Sequence, residues 1–256
     1  MSDLSLWDTI VIVMGEHTEL DTLLSVVIPV HNEAENLLVL LPRLHTALVS
    51  SRFHFEMVIV DNASTDDSVE VIKDFQKSMP ELQLVSEPML GYGRAVLKGL
   101  QSTRGSVLGI MRSDNQEKPE DFCRMVVALQ EEKVSFYKAV RMHRLNDGVM
   151  RVVVSFVYNT LFKVFFGLKS KDLNATPKIF TREFLETSHL ESIDWFIDAE
   201  MVIKAEKLGF TLREMNIEYL PRLKGKSSVR ARHVFEFLGN MLKWHVRLIH
   251  GRLLEK

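Results

Sequence analysis

The stretch Met111-Arg112-Ser113-Asp114-Asn115-Gln116 places carboxylate and amide side chains directly after an apolar run, residues 106–111. At the carboxyl end of a buried strand, Asp114 and Gln116 can both face one hard cation, and such a cation can hold a diphosphate. This geometry suggests chemistry on a sugar nucleotide. Taken alone, the cluster favours a simpler interpretation, because Ser, Asp and Asn also form the turns that end strands.

The composition sets limits on the class of protein. The chain has 256 residues, of which 46% are hydrophobic and 26% charged, with a formal net charge of -2. It can bury a full core as one large domain or as a domain with an appendage, and the charge balance gives no sign of nucleic-acid binding. The single cysteine, Cys123, excludes an internal disulfide framework and suits a reducing compartment. Its place in an apolar helical pattern, residues 122–129, predicts a core residue.

The amino-terminal segment carries no targeting signal that we can identify. No uncharged apolar run is long enough to cross a bilayer, and the first 15 residues lack the basic region of a secretory signal. We therefore expect a cytoplasmic protein. Residues 1–22 do not fit the pattern that follows, and we treat them as an arm of unknown role.

From residue 24 the chain alternates short apolar runs, rich in β-branched residues, with helix-like stretches. The runs are residues 24–29, 56–61, 82–85 and 106–111. Runs that are apolar on both faces belong in a parallel sheet covered by helices, and ligands of such sheets collect at the carboxyl ends of the strands. The sequence therefore predicts an α/β fold with a mostly parallel central sheet flanked by helices, and four polar loops along one edge.

Each of these loops also has a purely structural interpretation. Residues 64–67 are typical of a helix N-cap followed by first-turn acids. Asp61 precedes that cap, at a position where a carboxylate can accept from the N–H groups of a nucleobase. Gly91 and Gly93 fit a tight turn, but a glycine-containing loop that opens a helix also lets a phosphate approach the backbone.

Four stretches in combination resemble the family 2 glycosyltransferases, which have the GT-A fold. They are Ser-Val-Val-Ile-Pro-Val-His-Asn-Glu at 25–33, Val-Ile-Val-Asp-Asn-Ala-Ser-Thr-Asp at 58–66, Gly-Tyr-Gly-Arg-Ala at 91–95 and Ser-Asp-Asn-Gln at 113–116. The resemblance extends over about nine-tenths of the chain. Within the family, the chain resembles the dolichyl-phosphate mannose synthase branch. It implies a GT-A glycosyltransferase domain at residues 23–230, followed by an amphipathic helix at 231–256.

The resemblance implies an inverting transfer of a sugar from a GDP- or UDP-sugar to a polyprenyl or dolichyl phosphate. Asp114 and Gln116 would then reach the diphosphate through Mg²⁺ or Mn²⁺. A phosphate acceptor is already anionic, so the site needs alignment of the nucleophile more than a strong base. The nucleotide-sugar-binding residues implied in this way are Pro29, His31, Glu33, Asp61, Ser64, Gly93, Arg94, Arg112, Asp114, Arg222 and Lys226.

The acceptor side requires cations aimed at phosphate. Arg141 follows a strand-like run, residues 134–140, and Arg151 and Ser155 fall on one helical face. Without the resemblance, a solvated basic face is an equally good interpretation. The resemblance makes Arg141, Arg151 and Ser155 the contacts of the acceptor phosphate. Together with Asp114 and Asp172, the two arginines are the candidate catalytic residues.

Two apolar segments suggest attachment to a membrane surface. Residues 149–168 include Phe156, Phe162, Phe165 and Phe166, and we expect this segment to sit at an interface. Residues 233–254 add a wide apolar arc opposite basic residues, which is typical of a membrane-surface helix. A helix packed on the domain or on another subunit is about equally compatible with the arc. The sequence thus favours a peripheral protein on the cytoplasmic membrane face, and it leaves the oligomeric state open.

Three further stretches have both a functional and a structural interpretation. Residues 172–178 keep the aspartate of a family motif but carry Thr176, Pro177 and Lys178 in place of its glycine, phenylalanine and arginine. Asp198 and Glu200 could bind sugar or complement a helix dipole. Arg222, Lys226 and the adjacent Ser227 resemble a flap over the phosphates, although basic loop residues are often merely solvated.

The main departure from the family pattern is Arg112, which stands where the D-x-D motif has its first aspartate. An arginine cannot ligate a cation, so a metal would keep only Asp114, Gln116 and substrate oxygens, or Arg112 would itself neutralise the diphosphate. Three functions stay open: an active lipid-phosphate transferase, a nucleotide-sugar-binding homologue without turnover, and a transferase to a saccharide or protein hydroxyl. The last would use Asp172 or Asp198 as its base.

Overall fold

The computed structural model describes residues 23–142, 160–221 and 239–247. Within these ranges the chain forms a seven-stranded sheet with the order β3-β2-β1-β4-β6-β5-β7. The strands are β1 (Leu24–Val30), β2 (Phe55–Asp61), β3 (Leu82–Ser86), β4 (Val107–Ile110), β5 (Phe136–Met142), β6 (Lys178–Thr181) and β7 (Leu212–Glu218). The helices are α1 (Ala34–Ser50), α2 (Ser68–Gln76), α3 (Tyr92–Gln101), α4 (Pro119–Glu131), α5 (Arg182–Ser188) and α6 (Ile197–Lys207), and residues 160–166 and 239–247 are also helical.

The first four strands are parallel neighbours, as the apolar runs predict. All residues of β1, β2 and β4 are buried, because helices cover both faces of this part of the sheet. The register aligns Val30 with Asp61 and Asp61 with Ser86. The polar residues that follow these strands therefore meet at one edge, and the predicted α/β fold with a mostly parallel sheet is confirmed.

The strand β6 runs antiparallel to both of its neighbours, β4 and β5. Its first residue, Lys178, is paired with Ile110, the last residue of β4. The loop that enters β6 therefore lies at the same edge as the loop that leaves β4. Neither β6 nor the polar edge strand β7 is predicted by the hydrophobic pattern of the sequence, and β7 pairs in parallel with β5.

The helices pack in two layers on the sheet. One face carries α1 and α4, with Leu37, Leu41 and Phe122 in a continuous cluster of buried residues. The other face carries α3, α5 and α6 in a second cluster. Cys123, in α4, is buried, and burial raises the pKa of its thiol to about 12. It is the core residue that its sequence environment predicts.

A third apolar cluster joins helical residues 160–166 and 239–247 to α6. Phe162 and Phe166 are fully buried there, beside Phe196 and Trp244. The expectation that these two phenylalanines face a membrane is therefore wrong, since they fill the core instead. Phe156 lies outside the described residues. Among the described helices, none is both long enough and apolar enough to span a bilayer.

Candidate active site

The loops after β1 and β2 are joined by hydrogen bonds between side chains and backbone. The side-chain oxygen of Asn32 accepts from the backbone N–H of Thr65 at 2.7 Å, and Asn32 N–H donates to Ser64 Oγ at 3.1 Å. Asp66 accepts from the N–H groups of Ala34 and Ser68. The sequence predicted Ser64 as the N-cap of α2, and this prediction is wrong. That helix begins at Ser68, and the carboxylate of Asp66 binds its first backbone N–H.

Asn62 links the second loop to the third. Its side-chain amide donates to the carbonyls of Glu87 and Met89 and accepts from Gly91 N–H at 2.8 Å. His31 Nδ1 donates to the Asn62 carbonyl at 2.8 Å, since that oxygen can only accept. Three loop segments that are distant in sequence thus form one hydrogen-bonded surface.

The predicted nucleoside ligands lie on this surface. Asp61 is nearly buried and uses one carboxylate oxygen to accept from Ser64 N–H at 3.2 Å. Pro29 is buried in β1, and His31 and Glu33 are partly exposed at its end. The structure therefore brings Pro29, His31, Glu33, Asp61 and Ser64 together.

Gly91 and Gly93, before and within α3, allow residues 192–194 to pack closely against the start of this helix. A Cβ atom on Gly93 would overlap the Ser192 carbonyl oxygen and stand 2.6 Å from that of Asp194. Arg94, also predicted to bind the nucleotide, donates its backbone N–H to the Ile193 carbonyl at 3.2 Å. Residues 192–194 thus lie against the start of α3, and Trp195 stacks on Tyr92 with ring centroids 4.4 Å apart.

The loop after β4 carries the predicted metal ligands. Ser113 Oγ donates to the Pro29 carbonyl, which fixes the loop against β1. Asp114 is 8% exposed, and one of its oxygens accepts from Gln116 N–H at 3.3 Å. The Gln116 side chain donates through Nε2 to the Leu220 carbonyl at 3.1 Å. Among the described residues its amide oxygen has no hydrogen-bond donor, so this oxygen can bind a ligand.

Polar contacts connect the loop after β4 to Tyr219, which follows β7, and to Arg141 in β5. Glu117 is 1% exposed and accepts from the backbone N–H of Arg112, from Thr176 Oγ1, and from Tyr219 Oη at 3.2 Å. Burial raises the pKa of the Glu117 carboxyl to about 7. The guanidinium of Arg141 lies over the Tyr219 ring, 5.4 Å from its centroid.

Arg141 is held by Asp172 through a paired interaction. Arg141 Nε and Nη2 donate to the two oxygens of Asp172 at 2.8 and 2.6 Å, and the Arg141 backbone N–H donates to the same carboxylate. Hydrogen bonding and charge from Asp172 outweigh the effect of burial, so the pKa of Arg141 is raised. Arg141 is thus a fixed cation at the edge of the sheet.

Arg112, Lys178 and Asp198 form a buried group beside the metal-ligand candidates. Lys178 Nζ lies 2.6 Å from Asp198 Oδ1, and Arg112 Nη2 lies 3.7 Å from Asp198 Oδ2. Burial lowers the pKa of Lys178 to about 8. The alternative in which Asp198 only complements a helix dipole is wrong, because its carboxylate pairs with two cations. Glu200 accepts instead from the N–H groups of Glu191 and Ser192 and pairs with Lys204.

The residues at the D-x-D position do not form a site for a divalent cation on their own. Asp114 offers one carboxylate and Gln116 one amide oxygen, whereas Arg112 adds a positive charge. In the part of the chain that the structure describes, no three His, Cys, Asp or Glu residues are grouped so that they could hold a metal ion. A hard cation bound here would depend on oxygens supplied by the substrate.

Four of the predicted site residues, Arg151, Ser155, Arg222 and Lys226, lie outside the described residues, as does Ser227. Tyr219, Trp195 and the bridging role of Asn62 were not predicted from the sequence. Glu117 directly follows the polar cluster, and this spacing was a usable signal. Tyr219 had none, because it reaches the site only through the pairing of β7 with β5.

Comparison with known proteins gives a family match over most of the sheet. Residues 25–188 match the family model described as Glycosyl transferase family 2. An undecaprenyl-phosphate 4-deoxy-4-formamido-L-arabinose transferase of Pseudomonas savastanoi pv. phaseolicola is 29% identical over 63% of this chain and 48% of its own length. A dodecaprenyl-phosphate galacturonate synthase of Rhizobium johnstonii is 26% identical over 86% of this chain and 65% of its own.

A dolichyl-phosphate beta-glucosyltransferase of Trichomonas vaginalis is 25% identical over 77% of this chain and 65% of its own length. The chain thus spans about half to two thirds of the length of these curated relatives. Glucosyl-3-phosphoglycerate synthase of Mycobacterium tuberculosis, solved with Mn²⁺, UDP and glucosyl-3-phosphoglycerate, superposes with a TM-score of 0.66. At 18% identity, covering 92% of this chain and 81% of that one, this likeness shows the GT-A fold.

Proposed function

The chain belongs to glycosyl transferase family 2, and from this premise we propose that it transfers a sugar from a GDP- or UDP-sugar to a polyprenyl phosphate. The observation that carries the proposal is the continuous line from Arg112 through Glu117 and Tyr219 to Arg141. It joins the surface predicted for the nucleotide to the cation predicted for the acceptor phosphate. The curated relatives named above, whose names specify polyprenyl or dolichyl phosphate, support this acceptor class.

In this mechanism the residues of the chain bind and align two anionic substrates. Asp61 and His31 hold the nucleoside beside the loops of β1 and β2, and Arg141 holds the acceptor phosphate. A phosphate oxygen attacks the anomeric carbon, the bond from that carbon to the diphosphate oxygen breaks, and the electron pair leaves with the nucleoside diphosphate. Fixed positive charge near the diphosphate stabilises this developing charge. Inversion at the carbon follows from a single displacement.

The arrangement of the carboxylates argues against transfer to a neutral hydroxyl. Such a reaction needs a general base near the anomeric carbon, and Asp172 and Asp198 are the candidates. Asp172 is paired with Arg141, and Asp198 with Lys178. Each carboxylate already accepts from a cationic side chain, so a hydroxyl would have to compete with that partner for its oxygens. An acceptor that is already ionised does not require a general base.

Asp114 and Gln116 are the residues of this chain that would bind the predicted cofactor, Mg²⁺ or Mn²⁺. These two residues would hold the ion together with diphosphate oxygens, and the ion would add positive charge at the leaving group. No step above depends on it. The Mn²⁺ bound by the mycobacterial synthase supports a divalent ion in the fold.

We also propose that residues 23–230 act as the transferase domain and that the protein binds the cytoplasmic surface of a membrane. Val164, Leu242 and Val246 are exposed on helical residues 160–166 and 239–247, which contact each other through Phe165 and His245. Flotation with liposomes tests the membrane contact. The double variant Leu242→Asp/Val246→Asp should reduce co-flotation, and the matched pair Leu38→Asp/Val39→Asp on α1 should not.

The transfer itself is tested with the full chain, a polyprenyl phosphate and labelled GDP- and UDP-sugars, in Mg²⁺, Mn²⁺ or EDTA. We expect a glycolipid from one donor. Arg141→Gln should abolish it, whereas Arg124→Gln, a control at an arginine outside the site, should not. Measurable nucleotide-sugar binding without product from any donor would favour the non-catalytic alternative.

A further inference from the structure

Arg112 lies in the loop after β4, beside the predicted ligands Asp114 and Gln116, and is fixed there by several contacts. Its backbone N–H donates to Glu117 Oε2 at 3.0 Å, and its Nη2 donates to the Asn174 carbonyl at 3.1 Å. Its guanidinium lies 6.0 Å from the centroid of the Trp195 ring. A flexible arginine on a surface has no such set of restraints. The position of its charge is therefore set before any substrate binds.

The positive charge of Arg112 is only partly neutralised by its neighbours. Asp198 is the nearest carboxylate, but its Oδ1 already accepts from Lys178 at 2.6 Å. The other oxygen, Oδ2, stands 3.7 Å from Arg112 Nη2 and makes no hydrogen bond to any described residue. Two cationic side chains therefore share one carboxylate. The charge of Asp114 also acts on Arg112, but among the described residues the guanidinium donates a hydrogen bond only to the Asn174 carbonyl and to no carboxylate.

Arg112 also has hydrogen-bonding capacity that its neighbours do not use. Its Nε is buried and has no partner in the part of the chain that the structure describes. The side chain as a whole is 21% exposed, so it is reachable from solvent. A buried N–H without an acceptor is costly, and a phosphate oxygen is the acceptor that a guanidinium binds best.

We infer that Arg112 supplies the charge that binds the diphosphate, so that binding of a nucleoside diphosphate does not require a divalent cation at Asp114 and Gln116. This rests on the proposed function, because it assigns the diphosphate to the loop after β4. Asp198 and Asn174 act as positioning residues that hold the guanidinium. A cation site at Asp114 would need a second carboxylate at position 112, and this chain has an arginine there.

The test is the binding of UDP and GDP to the purified full chain by calorimetry, in EDTA and in Mn²⁺. We expect the wild type to bind one nucleotide equally well in both, within about twofold. Arg112→Gln should weaken binding roughly 10- to 100-fold in both buffers, as expected for a lost charge-assisted hydrogen bond. Arg112→Asp should bind only in Mn²⁺ and should give an electron paramagnetic resonance signal for the protein-bound ion.

Arg43→Gln is the matched control, because Arg43 lies on α1 outside the site and is 3.8 Å from Glu120. It should bind like the wild type. The inference is overturned if the wild type requires Mn²⁺, if Arg112→Gln binds as tightly as the wild type, or if neither nucleotide binds. Should Arg112→Gln fail to fold by circular dichroism, the wild-type comparison in EDTA still decides. A failed glycolipid assay does not affect this result, since the binding measurement needs no acceptor.

Discussion

Lys138 and Lys178 lie directly opposite each other on β5 and β6, and both side chains are fully buried. Each has its own carboxylate, Glu214 at 3.1 Å and Asp198 at 2.6 Å. Two buried ammonium groups on adjacent strands repel each other, and this repulsion adds to burial in lowering the pKa of Lys178. The sheet therefore tolerates these lysines only while both carboxylates are in place.

Removal of one partner of the Lys178–Asp198 pair should strongly destabilise the fold. We expect Lys178→Met to lower the free energy of unfolding by about 3–5 kcal/mol, because it leaves Asp198 with a buried charge and only the more distant Arg112. Urea unfolding measures this. Lys77→Met is the matched control, since the Lys77–Asp74 pair is of similar length but exposed, and its loss should cost less than about 0.5 kcal/mol. Equal losses in the two variants would show that the buried pair is not structurally important.

A methyl group at Gly93 should reduce the stability of the fold. Gly93→Ala places a Cβ against the carbonyls of Ser192 and Asp194, which are backbone atoms that cannot rotate away. We expect a loss of about 1–3 kcal/mol in thermal or urea unfolding. Gly239→Ala has no atom within 4 Å of its added Cβ and should be neutral or stabilising. If Gly93→Ala behaved like Gly239→Ala, close packing of residues 192–194 on α3 would be excluded.

The carboxyl of Glu117 should make stability depend on pH. Because burial raises its pKa to about 7, the folded chain keeps a proton that the unfolded chain has lost above about pH 4.5. This contribution to stability is complete below pH 4.5 and disappears as the pH rises through 7. We expect the difference in unfolding free energy between wild type and Glu117→Gln to change by about 3 kcal/mol across this window.

Glu56 provides the opposite case for comparison. Burial opposes its ionisation, but hydrogen bonds from Arg104 N–H and Ser25 Oγ outweigh that effect and lower the pKa of its carboxyl. Its contribution is present above the pKa of the unfolded chain and is lost as the pH falls. Glu56→Gln should therefore reduce the loss of stability in acid. The same sign for both variants would contradict the assignment for Glu117.

Loss of the Asp172 carboxylate should affect the acceptor and leave the nucleotide largely unaffected. Asp172→Asn removes the charge that orients Arg141 but keeps the size of the side chain. We expect the KM for polyprenyl phosphate to rise roughly tenfold, about 1.4 kcal/mol, while the Kd for the nucleotide stays constant. Steady-state kinetics and calorimetry separate the two. Asp121→Asn, which weakens a pair with Arg124 on α4, should change neither.

The parallel half of the sheet could be predicted because its strands are apolar on both faces and each ends in a polar loop. The hydrophobic pattern and the loop chemistry therefore agreed on the edge where Asp61 and Asp114 lie. In the other half, the strand-like run at residues 134–140 predicted β5, but β6 and β7 could not be predicted in the same way. Lys138 and Lys178 indicated solvent exposure by their residue type, whereas the structure buries both beside carboxylates that are distant in sequence.

The contacts of the candidate site fall into two groups, those within one loop and those between segments distant in sequence. Residues within one loop, such as Asp114 and Gln116, were identified by their spacing. The partners that fix Arg112, Arg141 and Lys178 come from residues 172–174, 195–198 and 219, and no local pattern links these segments. Side chains that meet only through tertiary pairing cannot be read from one sequence.

The antiparallel pairing of β4 with β6 also has a consequence for the order of folding. It aligns Ile110 with Lys178, so the two strands are separated by about 70 residues of chain, and the pairing of Leu24 with Val107 joins β1 to β4 across an even longer stretch. The β1–β2 and β2–β3 pairs, by contrast, join strands that are close in sequence. Closing a long loop costs more entropy and slows the formation of such contacts. The loops after β1 and β2, which are predicted to bind the nucleoside, can therefore form early on the core of β1, β2 and β3, and the pairing of β4 and β6 completes the cationic half of the site later.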